Sequence, residues 1–306
     1  MQSKTIKNKI RAVDKTRQVT KAMEAVSAVK MRKAQEKAFI SRPFALSALS
    51  ILSRISGAVD LREHVLIKGR PVQKTLMIVM TSDRGLAGSL NSAVLNRAVA
   101  SLRERGREKE NVGVIALGRK ATDYFRKRGW QMVKAQERMD DFPQLSVLEE
   151  VAGQALALYK EGSYDEVLLV YTNFLSTFRQ EAVMRQVLPL DMKQLREVVE
   201  GIVPAKGKYA EVFVPTKGKE SEVYTFEPSP EDIFEMLVSY LISIYLYHGE
   251  LEAKASEFSA RMVAMKNAGD KAEEVGKFLN RQFNRARQAA ITKEVSEIIS
   301  GTLQSA

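Results

Sequence analysis

Apolar residues are spaced in two different ways along this chain. Near both ends they recur in steps of three and four, and in the middle they come as short unbroken runs. The first pattern is that of helices with one buried stripe, the second that of strands buried on both faces. At the start, Ile6, Ile10 and Val13 open a thin stripe that Val19, Met23 and Val26 continue, with Arg17 and Thr20 interrupting it. From Ser3 to about Phe39 the rest is mostly Lys, Arg, Ala, Met, Gln and Glu, all good helix formers, so a helix with broad polar faces is predicted. Pro43 is expected to bend or break it. Phe44, Leu49, Leu52 and Ile55 then predict at least one further helical stretch.

The clearest period lies in the last segment. Met262, Met265, Gly269, Ala272, Gly276, Leu279, Phe283, Ala286 and Ala290 follow alternating steps of three and four, the repeat of a left-handed coiled coil. Many of these residues are small, so a partner helix can approach closely. Beyond Ala290 the stripe shifts to Ile291, Val295 and Ile298. Read back to Pro230, a natural first-turn residue with Ser229 as its cap, the helix spans about 70 residues, or roughly 100 Å. Such a helix needs a partner along its length, and the other end of the same chain is the obvious one. An antiparallel coiled coil of the two ends is therefore expected.

Between the ends, Thr75–Thr81, Val112–Gly118 and Glu166–Tyr171 read as buried strands, and Trp130–Val133 as a short one. Helices are expected from about Ser89 to Arg105, up to Arg128, and over Leu145–Lys160. Strands alternating with helices predict a Rossmann-like α/β domain with a mostly parallel sheet. Ala182–Leu188, Glu211–Val214 and Val223–Phe226 read as later strands. The expected division is thus 1–60 as an N-terminal helix, 74–228 as the central α/β domain and 229–306 as the C-terminal helix. Proline and glycine support it, since no proline precedes Pro43, no glycine precedes Gly57 and no proline follows Pro230.

Composition narrows the chemistry. No apolar run approaches the ~18 residues of a membrane-spanning helix, and the N-terminus has no signal-like apolar core. There is no cysteine, which removes disulfides, thiol nucleophiles and cysteine-ligated zinc and permits a reducing compartment. His64 and His248 do not have the spacing of metal ligands. The formal charge is +11, and it is uneven: residues 1–38 hold eleven Lys/Arg against three Asp/Glu, residues 250–306 nine against eight. An acidic partner for the first helix follows, whether nucleic acid, anionic lipid or an acidic protein surface.

The most enzyme-like segment is Thr81–Asn91, which contains Asp83, Arg84, Gly85 and Gly88 between a strand and a helix. Glycines there can bring backbone amides close to a phosphate, but the Walker lysine and a full glycine-rich fingerprint are missing. A tight turn with a helix cap, and a local ion pair or cap for Asp83 and Arg84, is the plainer reading. Glu149-Glu150, Glu273-Glu274 and Asp140-Asp141 read as solvated surface. No catalytic, cofactor-binding or metal-ligating set emerges.

Val19-Thr20-Lys21-Ala22-Met23-Glu24-Ala25-Val26-Ser27-Ala28-Val29-Lys30-Met31-Arg32-Lys33 resembles the N-terminal helix of F-type ATP synthase gamma subunits. Ser82-Asp83-Arg84-Gly85-Leu86 resembles the segment opening that family's central domain. Arg261–Ala268 and Ala286–Ile298 resemble its C-terminal helix, so order and spacing agree over essentially the whole chain. The chain departs from the family pattern at Ala87-Gly88-Ser89, where a Cys-Gly pair is usual, and at Gly301-Thr302 in place of Gly-Ala. Neither change disturbs a turn or a coiled coil.

The resemblance implies a non-catalytic rotor shaft. Its two terminal helices would turn inside a ring of three alpha and three beta subunits, with the central domain beside the epsilon subunit and the c-ring. Ion-driven rotation would be coupled to conformational change on the beta subunits, where ATP is made or hydrolysed. By the same resemblance Lys21, Met23, Lys30, Arg261, Gln288 and Thr292 would contact acidic beta-subunit loops. Asp83, Arg84, Gly85 and Gly88 would belong to the central domain. The chain would need no cofactor and would sit peripherally on the cytoplasmic face of the bacterial inner, or an equivalent energy-transducing, membrane. Two other readings of the residues are a basic coiled coil that binds nucleic acid, with steep salt dependence, and a nucleotide-using enzyme built on the Asp83–Asn91 loop.

Overall fold

In the computed structural model of the protein, the structure is described for residues 2–58, 63–191, 227 and 229–304. The chain divides into two compact units, Met1–Ala28 with Arg261–Ala306, and Val29–Ala260.

The larger unit is built on a five-stranded sheet. Its strands are β1 (Thr75–Met80), β2 (Val112–Leu117), β3 (Gln131–Gln136), β4 (Glu166–Ser176) and β5 (Arg179–Leu188), in the order β3-β2-β1-β4-β5. β1, β2, β3 and β4 are parallel neighbours, and β5 returns antiparallel to β4. Alternate residues of each central strand face opposite ways, and both faces are covered. Met77, Val79, Val114 and Ala116 meet Val94, Leu95, Ala98 and Leu102 of α2 (Leu90–Glu104) and Ala121 and Phe125 of α3 (Arg119–Lys127). Leu76, Ile78, Met80, Leu169 and Tyr171 share the other cluster with Leu148, Val151 and Ala155 of α4 (Leu145–Lys160). Phe234, Val238, Leu241, Ile242, Tyr245 and Leu246 complete that second cluster. They come from α5 (Pro230–Gln304), so the first part of this helix is core of the α/β unit. At Gly249 an added Cβ would lie 3.3 Å from Leu169 and 3.6 Å from Met80, so α5 rests closely on the sheet there.

The strands match the expected runs, but three extend further than those runs. β3 continues to Gln136, and β4 with β5 reaches out as a hairpin to Ser176 and Arg179. These extensions are only partly covered, and half-buried polar residues such as Asn173 and Lys134, which binds Glu150 at 2.6 Å, replace the apolar signal. Glu211–Val214 and Val223–Phe226 lie outside the described residues.

Helix α1 (Gln2–Ala58) runs through Pro43 without ending there, so of the bend or break expected the break does not occur. One proline removes a single helical hydrogen bond and adds strain, about 3 kcal/mol. Ala34 before it and Ala48 after it are both buried, so packing on either side offsets that loss.

The smaller unit pairs the start of α1 with the end of α5. A Cβ added at Gly276 would lie 3.7 Å from Val13, and one added at Gly269 would lie 3.2 Å from the Thr20 hydroxyl. Seven residues up one helix correspond to seven down the other, so the pair is antiparallel, as expected. The seam of α5 is the expected one as far as Ala286: Met265 and Gly276 are buried, Met262, Gly269, Ala272, Leu279, Phe283 and Ala286 half-buried, and most of the positions between them exposed, whereas Ala290, the last residue expected there, is exposed. The seam of α1 differs from expectation. Val19 and Val26 are 58% and 52% exposed, whereas Thr20 and Ser27 are 7% and 3% exposed. The three–four register from Ile6, Ile10 and Val13 continues through Thr20 to Ser27, regardless of which residues are apolar. Thr20 can be buried because its hydroxyl donates to the carbonyls of Thr16 and Arg17, both at 3.0 Å.

Candidate functional site

The Thr81–Asn91 segment leaves the end of β1, at the place where open α/β sheets often hold ligands. Its bonds, however, point inward to the protein. One oxygen of Asp83 accepts from the amides of Arg119 (2.8 Å) and Arg138 (3.0 Å), and the other from that of Met139 (2.9 Å). The carboxylate therefore caps α3 and ties down the loop after β3, and with both oxygens engaged it is no free base. Of the two uses expected for Asp83, ion pair or cap, it serves as a cap, but of α3; Ser89 makes no side-chain cap bond to the following helix, α2. Ser82 and Asn91 close the loop on itself: the Ser82 amide donates to Asn91 Oδ1 (3.0 Å) and Asn91 Nδ2 donates to Ser82 Oγ (2.8 Å). Arg84, Gly85 and Leu86 are exposed, and Leu86 and Gly88 take positive φ of 63° and 59°. Glycine adopts that region freely, whereas Leu86 is strained there. The segment is a braced turn that presents Arg84 and Leu86 outward.

Beneath it lies a row of charges that sequence reading missed. Glu250, Lys254 and Glu257 occupy one face of α5 and are all buried. Lys254 Nζ stands 3.7 Å from Glu250 and 3.9 Å from Glu257. Glu250 Oε2 has no hydrogen-bond partner. Burial pushes the Glu250 carboxyl up to about 7, with Lys254 opposing the shift and Glu257 and Asp83 adding to it. Burial also pulls the Lys254 ammonium down, but Glu250, Glu257, Asp83 and Asp141 outweigh it and hold it above its ordinary value. The available signal was an i, i+4, i+7 run of charges inside an otherwise buried helix. Lys30 is bound to Asp141 at 2.5 Å and lies 5.7 Å from the Phe258 ring, so its charge is already engaged.

In the smaller unit, Lys4, Lys7, Lys9, Arg11, Lys15, Arg17 and Lys21 are all exposed along α1, whereas Asp14 and Glu24 are the only acids there. The basic surplus is therefore an outward face. Met23 is half-buried and Lys21 exposed. Arg261 is buried and has a partner within the chain. Gln288 and Thr292 are exposed, with the Thr292 hydroxyl donating to the Gln288 carbonyl at 3.0 Å. In the register set by Val13 and Gly276, Gln2 lies level with Arg287, so these two residues sit beyond the described part of α1. Ile291 and Val295 beside them are exposed. The sequence-predicted contact residues therefore fall into an outward set (Lys21, Gln288, Thr292) and an inward one (Lys30, Arg261), with Met23 between.

Among the described residues there is no group of three or more His, Cys, Asp or Glu placed to hold a metal ion, and no helix long and apolar enough to cross a membrane.

A family model described as ATP synthase matches residues 2–303. The chain is 38% identical over 301 residues to the ATP synthase gamma chain of Roseiflexus castenholzii, covering 98% of this chain and 97% of that one. It is 36% identical over 296 residues to the ATP synthase gamma chain of Heliobacterium modesticaldum, covering 97% and 96%. Among solved structures it is similar to a chain of the Euglena gracilis mitochondrial ATP synthase (OSCP, F1 and c-ring), with a TM-score of 0.64, 18% identity and coverage of 99% and 94%. It is also similar to a chain of the Tetrahymena thermophila mitochondrial ATP synthase central stalk and c-ring, with a TM-score of 0.58, 23% identity and coverage of 82% and 99%.

Proposed function

This chain belongs to the family of ATP synthase gamma chains, and from that membership we propose how its parts divide a rotor's work. It is a non-catalytic subunit of the central stalk. The paired ends of α1 and α5 form the shaft inside a ring of alpha and beta subunits. The α/β unit serves as the base, meeting the epsilon subunit and the c-ring on the cytoplasmic face of the membrane. Of the expected 1–60 and 229–306, only 1–28 and 261–306 serve as the shaft; the base takes 74–228 together with the rest of 29–260.

One observation carries this reading: the antiparallel pair is closed by small residues along its seam and presents a basic, polar outer face. Such a surface makes many weak contacts rather than one tight one, as a shaft that must not lodge at any angle requires. It biases the beta subunits only through contacts that differ between their conformations. Lys21, Met23, Gln288 and Thr292 make those contacts directly, with acidic loops answering the lysines. Lys30 and Arg261 belong to the same set but act by holding the helices from which the others project. Asp83, Arg84, Gly85 and Gly88 belong to the base, where Arg84 and Leu86 are offered to a neighbour.

The test is co-purification of the tagged chain from its native membranes, with Gln288→Ala and Lys21→Glu alongside. Alpha, beta and epsilon subunits should accompany the chain. Each substitution should change ATPase turnover about five-fold, the effect of losing a contact worth about 1 kcal/mol. Purification alone or with nucleic acid, or unchanged turnover in both variants, would overturn the assignment of these contacts.

A further inference from the structure

The loop between β3 and α4, residues 137–144, is held by side chains from three other elements. Asp83, from the loop after β1, accepts from the Arg138 and Met139 amides at 3.0 and 2.9 Å. Lys30 of α1 binds Asp141 at 2.5 Å, and Lys37 of α1 lies 5.7 Å from the Phe142 ring. From α5, Phe258 packs 6.4 Å from Phe142, with the Lys30 ammonium 5.7 Å from its own ring. The buried Lys254 ammonium also feels the Asp141 charge. Arg138 takes a φ of 58°, a region that a residue with a Cβ enters only under strain. Such strain persists where the surroundings over-determine the backbone. The loop therefore keeps one shape while it joins the sheet to α1 and α5.

The Lys30–Asp141 pair adds little to stability, because its side chains are 31% and 45% exposed. It supplies something else: a charge-assisted hydrogen bond fixes direction as well as distance. α1 has use for such a tie. Among its described side chains beyond residue 28, only Met31, Ala34 and Ala48 are buried. Two of these are alanines, which make fewer contacts with a neighbour than a large side chain does. α5, by contrast, is anchored in the same unit by Phe234, Tyr245 and Leu246. We propose that the 137–144 loop is a strap that carries torque from the α/β unit into α1, with Lys30 and Asp141 as positioning residues. The inference rests on the rotor reading and deepens it by naming where the base grips the first helix of the shaft. Because α1 is unbroken over Gln2–Ala58, a twist applied at Lys30 is delivered along the whole helix.

The experiment uses the assembled complex in membrane vesicles. A potential-sensitive dye reads the initial rate at which ATP hydrolysis builds a membrane potential, and ATP turnover is measured alongside. Alpha and beta subunits should be present in normal amounts in every variant. Lys30→Gln and Asp141→Asn should each keep turnover within about two-fold and lower potential formation per ATP about three-fold, within the reach of one partly exposed ion pair. Lys30→Arg keeps the charge and should keep the ratio of the unmodified chain. Lys30→Gln combined with Asp141→Asn should be no worse than Asp141→Asn alone, because residues that act as a pair are not additive. A merely structural role would lower subunit content, turnover and potential together and leave the ratio per ATP where it was. An unchanged ratio in both single variants, or losses that add in the double one, would overturn the proposal. Failure of the rotor reading is distinct: the unmodified chain would then be absent from the complex of alpha and beta subunits, and both readings would fall.

Discussion

A hydroxyl at position 20 and the bare α-carbon at 269 set how closely the terminal helices approach. The Thr20 hydroxyl is fixed by two carbonyls, and a Cβ at Gly269 would meet it at 3.2 Å. At Gly276 the same Cβ would meet Val13 at an ordinary 3.7 Å. Glycine within a helix is less favourable than alanine by about 1 kcal/mol. Gly276→Ala should therefore protect residues 2–28 from hydrogen exchange by roughly that amount, and Gly269→Ala by much less. Equal protection in the two variants would mean that Thr20 does not limit the approach. Asp83 is the second decisive residue. Asp83→Ala leaves three amides without their acceptor and should destabilise the α/β unit by about 2–4 kcal/mol. Asp83→Asn retains one accepting oxygen and should lose about half as much. Urea unfolding followed by the fluorescence of Trp130, the sole tryptophan, separates the two cases. The sequence offered a cap for Asp83 but not which helix it serves, because α3 and the loop after β3 lie far along the chain. Thr20 was judged by its polarity although the heptad register places it at the seam.

At the scale of elements, strands announce themselves where both faces are buried, as in β1, β2 and the first half of β4. They fall silent at the edge, where Gln131 and Ala135 of β3 and the tip of the β4–β5 hairpin face water. How an element is entered depends on polar ties that no periodicity encodes. Asp165, just before β4, binds Arg70 Nε at 2.8 Å and accepts from the amides of Gln73 and Lys74, both at 2.9 Å, which lead into β1. Burial pushes its carboxyl up, but those two amides and the Arg70 guanidinium outweigh burial and hold it below its ordinary value. A depressed carboxyl contributes stability above its unfolded value, and that contribution is lost as pH falls through the folded value. Acid unfolding of the α/β unit should accordingly begin at higher pH in Asp165→Asn than in the unmodified chain. An unchanged acid limb would show that the tie is dispensable.

For the molecule as a whole, the same α5 serves two chemistries in succession. Phe234, Leu241, Tyr245 and Leu246 are large and buried in the α/β core, whereas Gly269, Ala272, Gly276 and Ala286 are small and form a seam. The heptads of the second part were legible because their period is strict. The anchoring role of the first part was not, since a buried helix carries apolar residues on several faces and no period shows which neighbour it meets. Burial stabilises in proportion to the apolar area removed from water, about 25 cal/mol per Å². The seam of glycines and alanines, opposed by Thr20 and Ser27, removes far less of it per turn than the aromatic anchor does. In the isolated full chain, then, the amides of 2–28 and 261–304 should exchange first, and those of β1, β2 and β4 last, with a gap of several kcal/mol in opening free energy. On assembly with partner subunits the helical pair should gain the most protection, because binding only the folded form adds stability where little existed before. If instead the paired ends exchange as slowly as the strands in the free chain, the seam is strong enough to stand alone, and the claim that its outer face requires a surrounding ring loses its physical basis.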